Sequence, residues 1–389
     1  MRALFIAHAY PRYEHDPVGS FILRLATALR DHGIDTEVLA PSAPGLTSNE
    51  FIEGVRVHRY RYAPSRMETL AYGGMMSAQV RGSWSGRLAM VGLLTSALAK
   101  SLRLLREGHF DLVHAHWWFP GGIIGTGLRS LARRPLVTTL HGSDVRLARD
   151  IAGGARAFRF VARTSDALTT VSSWLAREAI SLAPNANPIV APMPVAPGLF
   201  HPGKARADNR LLFIGKLSEQ KGLHHLLRAL PMMRTRPVVD VVGAGRVDDA
   251  HLKVLAHELG VADRINWLPL LSQADLAERY REATLHVIPA LDEGLGLTAI
   301  ESLLCETPVV AFDSGGVPDA VVPGKTGILV PPGDTAALAA ALDELLTNSA
   351  ERARLGREGR ALMIANFSPD AVAAHYASIY GDAVRHRRR

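Results

Sequence analysis

The densest chemistry in the sequence lies in Asp292-Glu293-Gly294-Leu295-Gly296-Leu297-Thr298-Ala299-Ile300-Glu301, where two glutamates bracket a glycine-rich turn. The glycines let the backbone approach a ligand closely. The apolar run that follows opens a helix, whose free N–H groups and positive dipole end suit a diphosphate. Glu301, about one turn inside that helix, is placed to accept hydrogen bonds from ribose hydroxyls. Glu293, before the loop, faces the group beyond the phosphates. In isolation the segment also fits an ordinary strand-to-helix loop with two surface glutamates. A second segment, Phe213-Ile214-Gly215-Lys216-Leu217-Ser218-Glu219-Gln220-Lys221-Gly222-Leu223, carries two lysines that can reach phosphates as mobile point charges. Alone it reads equally as a solvated loop.

Both loops need strands to hold them, and the hydrophobic pattern supplies them. Strands are predicted at Leu211–Ile214, Val238–Val242, Ile265–Leu268, Leu285–Ile288, Val309–Phe312 and Ile328–Val330, with helices between them. Asp334 caps a helix over Thr335–Leu346, and Ser368 with Pro369 opens a last helix to about Val384. The first half has the same rhythm. Its strands are Ala3–Ala7, Thr36–Ala40, Val55–Tyr60, Leu112–Ala115, Leu136–Leu140 and Ala167–Val171. Helices are expected at Ser20–Arg30, closed by Gly33, at Arg87–Arg106 and at Gly121–Arg133. Strands spaced by helices argue for parallel sheets covered on both faces. Between the halves, Ala183 to Pro202 holds six prolines and reads as a linker. The halves share no repeat at sequence level.

The expected fold class is therefore α/β, two Rossmann-like domains with a ligand cleft between them. The boundaries are an N-terminal Rossmann-like domain over 1–190, a linker over 191–202 and a C-terminal Rossmann-like domain over 203–368, the latter carrying the two charged loops. The helix over 369–389 is expected to pack back on the first domain, with His386–Arg389 as a frayed end.

Composition is that of a globular protein: 389 residues, 48% hydrophobic and 21% charged, which excludes a disordered or fibrous chain. The single Cys305 cannot form an intrachain disulfide and sits among helix-core residues, favouring a reducing compartment. No segment reads as long and apolar enough to span a bilayer; Leu88–Ala99 comes nearest. The N-terminus reads as a strand rather than a signal peptide. A cytoplasmic location is expected. The net charge of +7 is uneven: 22 Lys/Arg face 14 Asp/Glu through Val195, against 22 and 23 beyond it. That basic first half fits either a solvated surface or peripheral contact with the inner face of an anionic membrane. No aromatic-interleaved basic stripe points to nucleic acid.

At this point the chain resembles the family-4 retaining glycosyltransferases of the GT-B fold. The marks are Gly215-Lys216-Leu217 with Lys221-Gly222, the Glu293/Glu301 pair, Thr307-Pro308-Val309-Val310, Gly315-Gly316-Val317-Pro318 and Pro332-Gly333-Asp334. In the first half they are Gly19, Asp111-Leu112-Val113-His114-Ala115-His116, His141-Gly142-Ser143-Asp144 and Val171-Ser172. The resemblance covers nearly the whole chain. It implies transfer of a sugar from a UDP- or GDP-linked donor to a hydroxyl acceptor, in polysaccharide, glycolipid or other glycan synthesis.

Site roles follow position by position from that resemblance. Lys216 and Lys221 contact the diphosphate; the family usually has Arg at the first, so Lys216 keeps the charge and loses a bidentate fork. Glu293 contacts the donor sugar, the amides of Gly294, Leu295, Gly296 and Leu297 hold sugar hydroxyls or phosphate, and Glu301 holds the ribose. His141 contacts the transferred sugar, so His141 and Glu293 are the catalytic candidates. Gly19 belongs to a turn near the donor phosphates, with Ser20 as helix cap. The base lies against the Leu268–Leu271 backbone. Glu306, where a glycine is common, reads as harmless. The implied reaction is front-face attack with the leaving phosphate taking the acceptor's proton. No Asp-x-Asp occurs in the chain, so neither metal nor cofactor is expected.

His114 and His116 end a strand and are read as pointing to opposite faces, one toward the acceptor and one into the core. Acceptor contacts are placed at His116, at Tyr72 and along the Tyr72–Arg87 segment. Trp117, Trp118 and Phe119 read as packing, and His224 and His225 as structural. Three other functions stay open: a nucleotide-sugar 2-epimerase of the same fold, a non-catalytic nucleotide-sugar binder, and an NAD-dependent oxidoreductase suggested only by Gly243-Ala244-Gly245-Arg246.

Overall fold

The computed structural model describes residues 1–72, 76–203, 208–243 and 250–388. The glycine pair at 243–245 therefore lies mostly outside the described residues, as do part of the 72–87 segment and Arg389. The chain divides into two compact units, Met1–Pro194 with Pro369–Arg389, and Val195–Ser368.

The first unit holds β1 (Arg2–Ile6), β2 (Asp35–Pro41), β3 (Asn49–Ile52), β4 (Val55–Tyr60), β5 (Leu112–His116), β6 (Leu136–Leu140), β7 (Ala167–Thr170) and β8 (Ile189–Val190). Their order across the sheet is β3-β4-β2-β1-β5-β6-β7-β8. Every pairing is parallel except the β3–β4 hairpin. Its turn residues Glu53 and Gly54 take φ of 48° and 76°, the left-handed pair that matches hairpin twist. The periodicity missed this hairpin, because β3 offers only Phe51 and Ile52 as apolar signal. It also missed β8, which lies inside the proline-rich stretch read as linker.

Helices cover the sheet. The helix Trp84–Glu107 is capped by Ser83, whose hydroxyl accepts from Gly86 N at 3.0 Å. Its inner face buries Leu93, Ala97 and Leu105 against Leu4, Ile6 and Val113 of the sheet. Each buried leucine contributes about 1.5–3 kcal/mol by leaving water. This helix corrects one expectation: it runs 24 residues, with an 18-residue window of mean hydropathy 1.5, long and apolar enough to cross a membrane by length and composition. A third of that window is buried (33%). Its outward face carries Trp84, Leu88 and Val91, which are 77%, 67% and 59% exposed.

The final helix, Pro369–Arg388, belongs to this unit and is helical to Arg388, into the segment expected to fray. Tyr376 donates to Ala191 O at 3.0 Å, and Tyr380 OH meets His114 Nδ1 at 2.6 Å.

The second unit holds β9 (Arg210–Ile214), β10 (Val238–Val242), β11 (Ile265–Leu268), β12 (Leu285–Ile288), β13 (Val309–Phe312) and β14 (Gly327–Val330). The order is β11-β10-β9-β12-β13-β14, all parallel. Buried Leu211, Phe213, Val239, Val241, Val287 and Val310 form its central layer. Asp334 caps Thr335–Thr347 by accepting from Ala337 N at 2.8 Å.

Candidate functional site

In the second unit the strand order reverses between β9 and β12, which pair directly. Connections leave this point in opposite directions, opening a crevice at the carboxyl ends of the two strands. The loops that follow them are the two chemistry-bearing segments. They are fastened to each other: Leu291 N donates to Gln220 O at 2.9 Å, and Gln220 Nε2 donates to Asp292 O at 3.1 Å. Gly222 has φ 71°, and a Cβ there would stand 1.8 Å from Pro289 O, so only glycine lets the loops close this tightly.

Within this double loop Lys221 Nζ donates to Glu293 Oε2 as an ion pair. Lys216 is exposed and has no side-chain partner among the described residues. The loop after β13 buttresses Glu293 from behind: Gly316 N donates to Glu293 O at 2.7 Å, and Asp292 N donates to Ser314 Oγ at 3.0 Å. Gly296 (φ 76°) starts the helix Leu297–Leu304, whose first amides lack intrahelical acceptors. Glu301 is buried in that helix, and Tyr280 OH donates to its Oε2 at 3.1 Å. Burial, with Glu301's charge added, pushes the Tyr280 hydroxyl well above its usual range, so it stays a donor. Tyr280 carried no sequence signal; only the tertiary contact reveals it.

Glu306 lies away from these loops but is not conformationally neutral. Its φ is 59°, left-handed for a non-glycine, and its carbonyl would lie 2.2 Å from a Cβ at Gly356. His224 and His225 lie in the helix Leu223–Ala229, half-buried, with His225 edge-on to Phe312 at 5.2 Å.

The first unit has its own reversal between β1 and β5. His116 ends β5 and His141 follows β6, and His116 Nδ1 and His141 Nε2 share a hydrogen bond of 3.2 Å. The expectation of opposite faces for His114 and His116 is wrong: their rings lie 4.2 Å apart, because residues i and i+2 of a strand share a face. Both therefore belong to one buried cluster. His114 is spent within the core on Tyr380 and on Thr139 Oγ1 at 2.6 Å.

His8 joins the cluster through Trp117 at 4.3 Å, and Trp117 and Phe21 stack on His141 at 4.5 and 5.1 Å. Burial, helped by the charge of His8, pulls His141 down to about 3; burial alone pulls His8 to about 4. Burial and the neighbouring histidines take His116 well below its usual value. All three are neutral near pH 7 and act as hydrogen-bonding groups rather than cations. His8 Nδ1 and His116 Nε2 are buried with no hydrogen-bond partner among the described residues.

Asp144 pins this turn. Its Oδ1 accepts from His141 N, Gly142 N and Val145 N at 3.1, 2.9 and 3.1 Å, and its Oδ2 from Trp118 N at 3.2 Å. Trp118 is core, whereas Trp117 lines the histidines. Gly19, not Ser20, is the N-cap of Ser20–Ala28. Gly19 has φ 68°, and a Cβ there would meet Ala9 O at 2.5 Å, so this turn needs glycine, and Ser20 follows as the first helical residue. Asp16 holds the preceding loop by accepting from Arg12 N at 3.0 Å and Val18 N at 3.2 Å.

Tyr72 stands apart from the histidines. Its hydroxyl donates to Pro41 O at 2.7 Å and accepts from Arg59 Nη1 at 2.9 Å. Burial raises it to about 12. The hydroxyl is thus engaged by the protein, and only the ring is left for an acceptor.

A parallel switch-point sheet in each unit, with a Lys/Glu double loop in one and a His-Gly turn in the other, defines a glycosyltransferase of the two-Rossmann type. The family description "Glycosyltransferase Family 4" matches residues 18–197, and "Glycosyl transferases group 1" matches residues 200–362. D-inositol 3-phosphate glycosyltransferase of Streptomyces bingchenggensis is 31% identical, over 95% of this chain and 85% of its own. Glycogen synthase of Mycobacterium tuberculosis is 29% identical, over 100% and 96%. Among solved structures, sucrose-phosphate synthase of Thermosynechococcus elongatus superposes with a TM-score of 0.81 at 21% identity, over 99% of both chains. HepE of Anabaena, solved with UDP-glucose, gives 0.72 at 18% identity, over 98% and 99%. The chain belongs to the family-4 glycosyltransferases of the GT-B fold.

Proposed function

We propose that this glycosyltransferase is a retaining, metal-independent hexosyltransferase using a nucleotide diphosphate sugar, UDP- or GDP-linked. The observation that carries this reading is the rigid double loop at the β9/β12 switch point, with Lys221 paired to Glu293 and Lys216 unpaired beside it. Two ammonium groups and the first amides of Leu297–Leu304 meet a diphosphate with positive charge, which leaves no requirement for a divalent ion. Lys221 then exchanges its carboxylate for phosphate oxygens, freeing Glu293 for the sugar hydroxyls. Glu301, oriented by Tyr280, takes the ribose hydroxyls. The solved relative holding UDP-glucose supports a diphosphate donor.

In the transfer, the acceptor hydroxyl attacks the anomeric carbon on the face the diphosphate leaves. The bond from that carbon to the phosphate oxygen breaks, and the acceptor proton passes to the departing oxygen. The protein supplies position and charge rather than a covalent nucleophile. Neutral His141, held by Asp144 and His116, offers a hydrogen bond to the transferred sugar. The acceptor is a hydroxyl of a saccharide, lipid-linked sugar or small metabolite, recognised through His116 and the Tyr72 ring. Glycan synthesis in the cytoplasm, with the Trp84–Val91 face resting on the inner membrane surface, fits the basic first half. Product NMR from a UDP- or GDP-sugar screen run in EDTA tests it: an axial donor must give an axial product at undiminished rate. Inversion, or activity only with added metal, contradicts the reading.

A further inference from the structure

The helix Gly154–Thr164 carries Arg156, Arg159 and Arg163 and no acidic residue. Their spacing of three and four puts all three guanidiniums on one helix face, where like charges repel. None has a side-chain partner among the described residues, although nearby arginines do: Arg129 forks onto Asp166 at 2.9 and 2.8 Å, and Arg149 pairs with Glu178. The three line a cavity of about 500 Å³, closed on its other side by Ala183, Pro184 and Asn185, with no carboxylate in its wall. Phe160, 57% exposed, stands at the same wall.

The cavity is separate from the histidine turn. Thr164 and Asn185 precede β7 and β8, so it opens toward the edge where these strands begin. His116 and His141 follow strand ends, at the opposite edge of the same sheet. A concavity of ligand size holding three uncompensated guanidiniums suits an anion with several phosphate oxygens, each fork donating to two of them. We propose that this cavity binds a di- or triphosphate-type anion, free or at the head of a phosphorylated lipid, at a site distinct from the sugar donor's.

The test uses the full chain in a Lys216→Gln/Lys221→Gln background, so that the donor loops do not contribute. Inorganic tripolyphosphate binding is followed by calorimetry, and binding to phosphatidylcholine vesicles carrying a prenyl diphosphate by sedimentation. Adding Arg156→Gln, Arg159→Gln and Arg163→Gln is expected to weaken one of these at least about tenfold, with charge-assisted bonds of this kind lost. Replacing the three by Lys recovers part of the affinity. Loss of tripolyphosphate binding assigns a free anion; loss confined to vesicles assigns a lipid headgroup. No binding in the background protein, or binding unaltered by the triple change while melting stays the same, overturns the proposal.

Discussion

Lys221 and Glu293 sit on the two loops that leave β9 and β12, and their side chains are paired across the switch point. Both are partly exposed, at 29% and 21% of the side chain, so the pair contributes little stability, about 0–1 kcal/mol. In the proposed reading, the pair holds the ammonium where the diphosphate arrives. Lys221→Gln is therefore expected to lower kcat/KM by about a hundredfold, the scale of losing one charge-stabilising donor. Its melting temperature should stay within about 2 °C of the parent. A fall in melting temperature that tracks the lost activity would assign Lys221 a structural role instead.

Five histidines lowered by burial give the protein an acid-sensitive interior. His8 and His286 sit at about 4 and His141 at about 3, and His114 and His116 lie well below their usual value. Their unfolded value is near 6.5. Between 6.5 and 4 the unfolded chain binds more protons, so stability is fully present above 6.5 and drains as pH falls. Thermal melts should lose several degrees between pH 7 and pH 5. His286→Gln, in the second unit, should reduce that slope, and an unchanged slope would show that the other histidines carry it.

The left-handed backbone at Glu306 points to a stabilising change. At φ 59° a non-glycine costs about 1–2 kcal/mol locally, part of which a glycine returns through its freer unfolded chain. Glu306→Gly should therefore raise stability by about 0.5–1 kcal/mol in urea titrations, with activity unchanged. A loss of stability would mean that the side chain makes a contact worth more than the strain.

The exposed Trp84, Leu88 and Val91 recur at four and three residues along one helix, with Arg87 stacked over Trp84 at 5.0 Å. An apolar stripe beside a cation is suited to the boundary of an anionic bilayer. Trp84→Ser with Leu88→Ser should reduce sedimentation with phosphatidylglycerol vesicles at least fivefold at about 0.1 M salt, where long-range attraction is already screened. Equal binding by the variant would place any membrane contact elsewhere.

How far the sequence reached depended on whether a signal was local. Val55–Tyr60, Leu136–Leu140, Val238–Val242 and Leu285–Ile288 match their strands to the residue, because short segments rich in β-branched and apolar residues stand out between polar turns. The long helix starts at Trp84 behind its Ser83 cap, earlier than the expected Arg87, because the apolar count began later than the cap. The two charged loops of the second unit were found from Gly222, Gly296 and their charged neighbours, since each residue type there answers a local need. The residues that pin loops in either unit were not. Tyr280 and Arg59 bond to partners far along the chain, and Asp144 reaches Trp118 as well as its neighbours His141 and Gly142, so no periodic pattern shows what they hold. Asp16 bonds its near neighbours Arg12 and Val18, inside a loop that has no repeating pattern to mark it. The His114/His116 misreading was different in kind: strand alternation already placed both on one face.

The central claim is that the β9/β12 double loop binds a nucleotide diphosphate through Lys216 and Lys221. Calorimetric titration of UDP and GDP into the wild-type chain and into Lys216→Gln/Lys221→Gln tests it most directly. The account predicts saturable binding of one nucleotide by the wild type, weakened at least about tenfold in the double variant. Equal affinity in both proteins, or no binding of either nucleotide by the wild type, would contradict it.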